Sequence, residues 1–541
     1  MKRFVCILLC FTLLFSLLSL TSCHGKEALP EFEMPEVFDE NKEYEITFWA
    51  KNENHNEQMQ VYRDAVDAFE ALYPNIKINL KMYADYNIIY RDVITNIKTE
   101  TTPNICITYP DHIATYNTGD NIVVSLDELM ADEKYGLGGS ALRFDGVSKD
   151  EIVPAFLEEG VINGEQYAIP FMRSTEACYV NVDLVKALGF EMPPVLTWDF
   201  IWSVCDAAMQ PIGQDENGKD VYINGQTILI PFLYKSSDNM MIQYLAQAGA
   251  DYSTEDGEVL FFNDTSKEFL SLLADKAREG KFTTFKAEHK YPGDLINANQ
   301  CIFGIDSTAG ATWIGSQAPH VEIPEESMVE FELAVREIPQ LNPDEPKMIS
   351  QGPSICVFNK RDGGEVVASW LFAQFLLTSD VQIGYAKTEG YLPVTTEAHS
   401  DESYLSYLAM GDQRLTSAEY YFAKIDAAKL LLANLDNTFV TPVFNGSTSV
   451  RNAAGDMIDT VIKAIDRNQP TDEAAIENMY SMVSIQYHLS ELGANSNKRI
   501  DLGKLPGESL ALLITLPVIW FGLITWAAIK YYLTRKTRNK P

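Results

Sequence analysis

Aromatic and hydrogen-bonding side chains follow the ends of successive predicted strands in this sequence. Trp49 and Asn52 come at the end of the first strand, Tyr83 after the second, and Tyr109 with Asp111 after the third. Open α/β sheets bind ligands beyond the carboxyl ends of their strands, so we expect these side chains to lie close together. Flat rings match the apolar C–H faces of a sugar, and carboxylates and amides bind hydroxyl groups. The set favours non-covalent capture of a polyol.

Two further candidates lie later in the chain, beside a turn rich in Gly and Thr. Asp306 and Trp313 flank this turn, which follows a predicted strand over residues 300–305. A tryptophan in such a place can offer its ring to a ligand. Trp198, by contrast, stands at the head of a helix that Thr197 is expected to cap, and we predict that it packs as a structural anchor.

The sequence contains little that points to catalysis or to a metal. Asp306 and Glu389 could form a carboxylate pair, which leaves a glycoside-acting enzyme as a minor alternative. The motifs G-x-S-x-G, H-E-x-x-H and the P-loop are absent from the sequence. Residues 215–220 are similar to a calcium loop but lack the alternating acids and closing Glu of an EF-hand, so we expect a polar hairpin turn. We therefore predict no catalytic residue, no metal site and no cofactor.

The elements that must position the candidates alternate between strand and helix. Strands are predicted at 44–49, 76–82 and 105–107, with amphipathic helices between them, and this order predicts a parallel sheet covered by helices. Asn163-Gly164 between two short apolar runs is a strong hairpin signal. The alternation then restarts and predicts a second sheet with its covering helices, from the strands 177–180 and 300–305 and the helices 183–188, 267–278, 365–377 and 418–435.

The two ends of the chain predict attachment to a membrane. Lys2-Arg3 followed by an apolar run from Phe4 to Leu20 is the layout of a secretory signal peptide, assigned to residues 1–22. Leu20-Thr21-Ser22-Cys23 resembles the lipobox of bacterial lipoproteins, which predicts lipidation of Cys23. Residues 509–530 are apolar over the length that a transmembrane helix requires, and the basic tail 531–541 places the C-terminus in the cytoplasm. The region between them is then extracytoplasmic.

Composition and charge exclude some classes of binding partner. The chain has 76 acidic against 42 basic residues and a formal net charge of −34, so an acidic outer region cannot neutralise phosphates, and we expect no nucleic-acid partner. An outer region this long exceeds what one core usually serves, so two lobes are expected. Its five cysteines are widely spaced and form no CxxC motif; we predict that they are buried free thiols, at positions 106, 178, 205, 301 and 356.

The order of these landmarks resembles the extracellular solute-binding proteins that serve bacterial sugar importers, the class that includes maltose-binding protein. The resemblance covers about residues 44–490 and rests on an ordered set of phrases: Tyr44 to Trp49, Phe69-Glu70 through Ile76, Tyr167 to Pro170, Tyr179-Val180-Asn181, Pro193 to Asp199, Cys301 to Gly304, Ala368 to Leu376 and Gly390 to Pro393. The chain departs from the pattern at its C-terminal apolar segment.

The resemblance implies a two-lobed periplasmic-binding-protein-like α/β fold of the class II type, with the ligand in a cleft that closes by a hinge. It places Arg173, with Ser174 and Glu176, where such a chain passes the cleft. We assign 23–43 to a tether, 44–156 with about 306–362 to lobe 1, 157–305 with about 363–490 to lobe 2, and 491–508 to a linker. Gly390-Tyr391 is expected to border the hinge.

The function that the resemblance implies is capture of a small ligand, a sugar or oligosaccharide, for delivery to the permease subunits of an ABC importer. The outer region is expected to be monomeric. The alternative is a membrane-anchored solute sensor or surface-interaction protein on the same fold, for which the additional C-terminal segment is the strongest argument.

Overall fold

The computed structural model describes residues 29–52, 56–97, 99–117, 121–492 and 507–538, and in the last range it describes side chains from 520 to 535. The chain divides into two units, residues 1–496 and 497–541. The predicted signal peptide, Cys23, most of the linker 491–508 and the last three residues of the basic tail lie outside the described residues.

Strand and helix alternate as the sequence predicts. The strands are β1 Tyr44–Lys51, β2 Ile76–Tyr83, β3 Ile105–Thr108, β4 Val161–Ile162, β5 Glu165–Gln166, β6 Ile169–Pro170, β7 Glu176–Asn181, β8 Gly213–Gln214, β9 Asp220–Val221, β10 Phe232–Tyr234, β11 Phe282–Thr284, β12 Phe303–Ser307, β13 Leu333–Glu337, β14 Met348–Ile349, β15 Ser354–Val357 and β16 Thr438–Phe439. The α-helices of the first unit are Asn56–Leu72, Tyr86–Ile97, Pro110–Tyr116, Asp127–Ala131, Pro154–Glu158, Val182–Ala187, Trp198–Ala208, Ser237–Ala248, Asp264–Arg278, Phe285–Glu288, Pro292–Asn297, Gly363–Phe375, Ser379–Ala386, Thr396–Ser400, Glu402–Met410, Phe422–Ala433, Ser447–Asp466 and Glu473–Gln486.

The first sheet has the strand order β2-β1-β3-β15-β6. β1 pairs in parallel with β2 and β3, which confirms the parallel pairing that the sequence predicts. Ile46, Phe48 and Ala50 alternate along β1 and are fully buried, and the Phe48 ring packs edge-on against Phe372 of a covering helix. Because the strands are parallel, their carboxyl ends meet at one edge of the sheet.

The second sheet has the order β11-β10-β12-β7-β13 and its own core. All six residues of β7 are buried; Cys178 and Val180 belong to the core on one face, while Ala177 and Tyr179 belong to a smaller cluster on the other. Trp198 packs in the main core against the rings of Trp202 and Phe232, and Thr197 caps its helix, as predicted.

Three chain segments cross between the two sheets side by side. Ser174 forms an antiparallel bridge with Gln351, and β14 pairs with β16 next to them. Gly352 has φ +156°, and a Cβ there would lie 2.2 Å from the carbonyl oxygen of Met172. Only glycine therefore allows the first two crossing segments to approach this closely.

Three segments of the predicted lobe assignment are wrong. Residues 157–172 were assigned to lobe 2, but β6 pairs with β15 of the first sheet, and Ile169 and Phe171 belong to its core. The helices between residues 363 and 410 were assigned to lobe 2, but their buried side chains belong to the core of the first sheet. β13 was assigned to lobe 1, but it pairs with β7 of the second sheet. The reason is that the chain returns to the first sheet through β15 and covers it with the helices between residues 363 and 410, before the third crossing near Thr438. We call the first sheet and its core lobe 1, and the second sheet and its core lobe 2.

The described part of the predicted tether, residues 29–43, lies on lobe 1. The Phe38 ring is buried and stacks on Tyr44, with ring centroids 5.3 Å apart, and Phe32 and Met34 pack on the same core. Three apolar side chains in this short segment have enough surface to hold it on the fold. The prediction that residues 29–43 act as a tether is therefore corrected: they pack on lobe 1.

Three local predictions are confirmed. Asn163 and Gly164 both have positive φ and form the turn between β4 and β5. Residues 215–220 form the turn of the β8–β9 hairpin, in which the Asp215 carboxylate accepts backbone hydrogen bonds from Asn217 and Lys219. The five cysteines are buried.

The second unit contains the helix Gly507–Arg538, over the segment that the sequence predicts to cross the membrane. Within the described residues, no single helix is long and apolar enough to cross a membrane. The successive helices Gly363–Phe375 and Ser379–Ala386 reach that criterion only together; they are bent by 59° and belong to the core of lobe 1.

Candidate functional site

A cavity of about 320 Å³ lies where the two lobes meet. Its lining comes from both lobes and from a crossing segment: Asn87, Tyr109, Pro110, Asp111, His112 and Glu159 from lobe 1, Ser236, Asp238, Asn239, Thr448, Arg451 and Asn452 from lobe 2, and Ser350 and Gln351 between them. This volume is at the lower end of the roughly 300–1,000 Å³ of small-molecule sites. Because both lobes contribute to the lining, the complete site exists only when the lobes are together.

The lobe 1 wall is the segment after β3, where the sequence predicted ligand contacts. The Tyr109 ring packs against Tyr86 at 4.8 Å and against His112 at 5.7 Å, which fixes the orientation of its face. Burial raises the pKa of the Asp111 carboxyl, although the Arg451 charge opposes this. Burial also lowers the pKa of His112 to about 4, so its imidazole is neutral at pH 7.

Arg451 dominates the lobe 2 wall and reaches across the cleft. Its guanidinium donates to Asn239 Oδ1 at 2.6 Å and lies 3.4 Å from Asp238 Oδ2 within lobe 2. Across the cleft, its Nε is 3.6 Å from Asp111 Oδ2. The helix that carries it, Ser447–Asp466, contacts the helix Pro110–Tyr116 of lobe 1. Arg451 is thus the side chain through which the two walls attract each other.

A buried carboxylate supports this wall from behind. Glu176, on β7, accepts hydrogen bonds from Tyr234, Asn239 and Gln243, at 2.5, 3.0 and 2.7 Å. Asn239 also donates to Gln351 on the crossing segment, at 2.9 Å. Burial raises the pKa of Glu176 to about 7. The network fixes Asn239, and through it the guanidinium of Arg451.

Several polar atoms of the lining have no hydrogen-bond partner in the described part of the chain. They are Asp111 Oδ1, Ser350 Oγ and Thr448 Oγ1, and each is inaccessible from outside. A buried polar atom without a partner costs about 1–3 kcal/mol, so a cavity that collects three of them is suited to a ligand with hydroxyl groups.

The structure places Tyr109 and Asp111 in the cavity wall, but other predicted contacts lie elsewhere. Trp49 and Tyr83 are buried in lobe 1 with ring centroids 5.1 Å apart, and the Lys81 ammonium lies over both rings. Asn52 is tied to this pair through its backbone N–H, which donates to the Tyr83 carbonyl at 2.8 Å. These three residues pack a face of the sheet and do not line the cavity.

Arg173 is fully buried behind the wall, where it forms an ion pair with Glu159 at 2.8 Å and donates to three backbone carbonyls. Asp306 binds the Lys235 ammonium at 2.6 Å, and Trp313 packs near His320. Glu389, the suggested catalytic partner of Asp306, accepts from Thr312 at 2.7 Å. None of these four side chains lines the cavity.

Sequence reasoning missed most of lobe 2's contribution. Asp238 and Asn239 follow β10, so the same strand-end rule applies to them, but a strand of three residues gives no alternation to detect. Arg451 follows the segment Gly446-Ser447-Thr448-Ser449, which marks a helix start, yet nothing in its sequence indicates that this helix faces the other lobe.

A second concavity, of about 470 Å³, lies on lobe 1 alone, between the helices Asn56–Leu72 and Ser379–Ala386. It is larger, but its lining contains neither a lobe 2 side chain nor a residue of the crossing segments. It therefore cannot report on the relative position of the lobes, and the smaller interlobe cavity is the candidate site.

The family described as bacterial extracellular solute-binding protein matches residues 64–411, well over half of the chain. The chain belongs to this family. Among curated relatives of this solute-binding protein is a binding protein of Brucella abortus (strain 2308), 21% identical over 347 residues, which are 64% of this chain and 75% of that protein. The resemblance read from the sequence is confirmed, and the family and its relatives are binding proteins.

Solved structures share the two-lobed α/β fold with this solute-binding protein. The GacH receptor of Streptomyces glaucescens, solved unliganded and with acarbose, matches with a TM-score of 0.59 and 13% identity, over 82% of this chain and 99% of that one. UgpB of Mycobacterium tuberculosis, in complex with glycerophosphocholine, gives 0.60 and 14%, over 82% and 97%. The sugar-binding protein MalE of Xanthomonas citri gives 0.60 and 15%, over 83% and 98%.

Proposed function

We propose that this solute-binding protein captures a compact hydroxyl-bearing ligand, a sugar or small oligosaccharide, between its lobes and delivers it to an ABC importer. The observation that carries the proposal is the interlobe cavity, whose walls come from both lobes and hold buried polar atoms without partners. A ligand that contacts both walls binds the closed arrangement better and shifts the protein toward it. Related structures contain acarbose and glycerophosphocholine, and both ligands carry hydroxyl groups.

The proposal includes no catalysis. The lining carboxylates are held by guanidinium groups: Asp111 and Asp238 by Arg451, and Glu159 by Arg173.

We further propose that the protein is held at the outer face of the membrane by lipid on Cys23 and by residues 509–530. The apolar sequence of that segment and its basic flank support the second anchor. Replacing Cys23 by Ala should abolish incorporation of radiolabelled fatty acid, and protease treatment of intact cells should remove the outer region but spare a tagged C-terminus.

A thermal-shift screen of the full-length chain against mono- and oligosaccharides tests the ligand assignment. A ligand that binds only the native state raises the melting temperature. At one hundred times its Kd it adds about 2.7 kcal/mol to the free energy of unfolding. At least one sugar should do so. If every sugar leaves the melting temperature unchanged, the carbohydrate assignment is wrong.

The second candidate function is a membrane-anchored solute sensor, which the C-terminal helix favours. Deleting residues 505–541 and measuring solute uptake separates the two. Normal uptake with an unchanged transcriptional response in the truncated chain would make the helix an anchor of a transport receptor. Normal uptake with loss of a transcriptional response to the solute would favour the sensor.

A further inference from the structure

The charges that face the interlobe cavity do not balance. Three carboxylates line it, on Asp111, Glu159 and Asp238, against the single guanidinium of Arg451. Arg173 neutralises Glu159 from behind the wall. His112 adds no positive charge at pH 7 because burial lowers its pKa to about 4. One carboxylate therefore remains uncompensated by the lining residues.

An independent observation shows that this acidic cavity is built to hold a ligand. The Ser350 side chain, on the crossing segment, is 2% exposed, and its hydroxyl has no partner in the described part of the chain. It lines the same cavity as the unpartnered oxygens of Thr448 and Asp111. A hydroxyl group can both donate and accept, so these atoms match a polyol.

The position of Asp111 shows where a positive group would bind. Its Oδ2 lies 3.6 Å from Arg451 Nε, beyond hydrogen-bond distance, while its Oδ1 makes no hydrogen bond within the described chain. The Ser447 hydroxyl lies near enough to lower the Asp111 pKa, but Oδ1 itself remains able to accept from a ligand. Tyr109 also lines the cavity, and an aromatic ring attracts a cation.

We infer that the ligand combines hydroxyl groups with a protonated amino group, as an amino sugar does, and that the cavity excludes acidic sugars. Two buried carboxylates that share one counter-charge are costly, and an ammonium group on the ligand supplies the missing positive charge. A carboxylate on the ligand would add a like charge at close range, where attraction and repulsion are least screened. This inference rests on the proposed function.

Matched sugars that differ only in charge test it. The probes are glucose, glucosamine and glucuronate, and galactose, galactosamine and galacturonate, titrated by calorimetry into the full-length chain in a non-glycosidic detergent. In at least one ring series the amine should bind at least tenfold more tightly than the neutral sugar, and the acid should show no measurable binding. Equal affinity for amine and neutral sugar, or tighter binding of the acid, overturns the inference and leaves the proposed function standing. Failure of all six, together with a negative sugar screen, overturns both.

Two variants connect the preference to its cause. Asp111→Asn keeps the shape of the side chain and removes its charge, so the preference for the amine should fall to less than about threefold, with neutral-sugar affinity changing less. Asp67→Asn, an exposed position of the same lobe, should leave the preference unchanged. An undiminished preference in Asp111→Asn would also overturn the inference.

Discussion

At the residue scale, the guanidinium of Arg451 contacts both lobes. Within lobe 2 it bonds Asn239 and approaches Asp238, and across the cleft it faces Asp111. Burial lowers the pKa of Arg451, whereas the charges of Asp238 and Asp111 raise it. The net effect is a raised pKa. The side chain is therefore charged at every pH at which the protein is folded.

Replacing Arg451 by Met should weaken ligand binding by about 10- to 100-fold, because hydrogen bonds to charged groups contribute about 1.5–3 kcal/mol each. The substitution retains the apolar stem and leaves Asp111 and Asp238 to repel each other. Titration calorimetry measures the effect. Arg467→Met, just past the end of the same helix with its side chain exposed, is the control and should bind normally. Unchanged affinity in Arg451→Met would contradict the site assignment.

Trp49 is expected to matter for stability and not for binding, because its ring packs in the core beside Tyr83, with the Lys81 ammonium over it. Trp49→Ala should destabilise the protein by about 3–5 kcal/mol, as deletion of a buried aromatic side chain does. Ligand affinity, measured at a temperature where the variant is folded, should change less than about threefold. A large loss of affinity without loss of stability would return Trp49 to the binding site.

Glu176 predicts a pH dependence of stability. Its pKa is raised from 4.5 to about 7 in the folded chain, so between these values the native state binds more protons than the unfolded state. Stability should therefore fall as the pH rises from about 4.5 to 7 and then level off. The Glu176→Gln variant should lack this loss, which amounts to about 3 kcal/mol at most.

Urea denaturation of wild type and Glu176→Gln at pH 5, 6, 7 and 8 measures the difference in unfolding free energy. Glu133→Gln, an exposed position in lobe 1, is the matched control. Parallel curves for wild type and Glu176→Gln would show that Glu176 titrates normally in the folded chain.

At the element scale, Gly455 allows the helices Ser447–Asp466 and Ser237–Ala248 to approach closely. It lies one turn after Arg451, and a Cβ there would be 2.9 Å from the backbone nitrogen of Asp238. The contact is with backbone, which cannot move aside as a flexible side chain can. This close packing places the Arg451 guanidinium beside Asp238 and Asn239.

Gly455→Ala should therefore lower stability by about 1–3 kcal/mol, as overpacking does, and weaken ligand binding by displacing Arg451. Gly384→Ala is the control, since that helical glycine has only ordinary contacts, at 3.8 and 3.9 Å from Val61. Thermal denaturation and calorimetry on both variants measure the two effects. Equal behaviour of the two variants would contradict the packing argument.

The elements that the sequence predicted correctly are those with a clear period. β1 and β2 each begin with alternating buried and more exposed side chains, and the helix Asn56–Leu72 buries one stripe. β10 has only three residues, all buried, so it has no alternation, and the site residues that follow it were missed for the same reason. Trp49 does not line the candidate cavity, because the residue at the end of a strand can face the sheet's covering layer as well as the strand-end edge.

At the scale of the whole molecule, the resemblance predicted two lobes but not the path between them. The third crossing depends on which sheet the helices after β15 cover, and their sequences are apolar enough for either: ten consecutive residues from Val366 to Phe375 are buried. Tertiary packing alone makes that choice. The cavity is likewise a product of the whole fold, because Asp111 and Arg451 are brought together from distant parts of the chain.

The central claim is that a ligand draws the lobes together over this cavity. Spin labels on new cysteines at Asp67 in lobe 1 and Glu268 in lobe 2, both exposed, report the distance between the lobes, and the five buried cysteines should resist labelling. On addition of a sugar that raises the melting temperature, the distance distribution should shorten and narrow in wild type, but not in Arg451→Met at the same concentration. Saturating binding with an unchanged distance distribution would contradict the account.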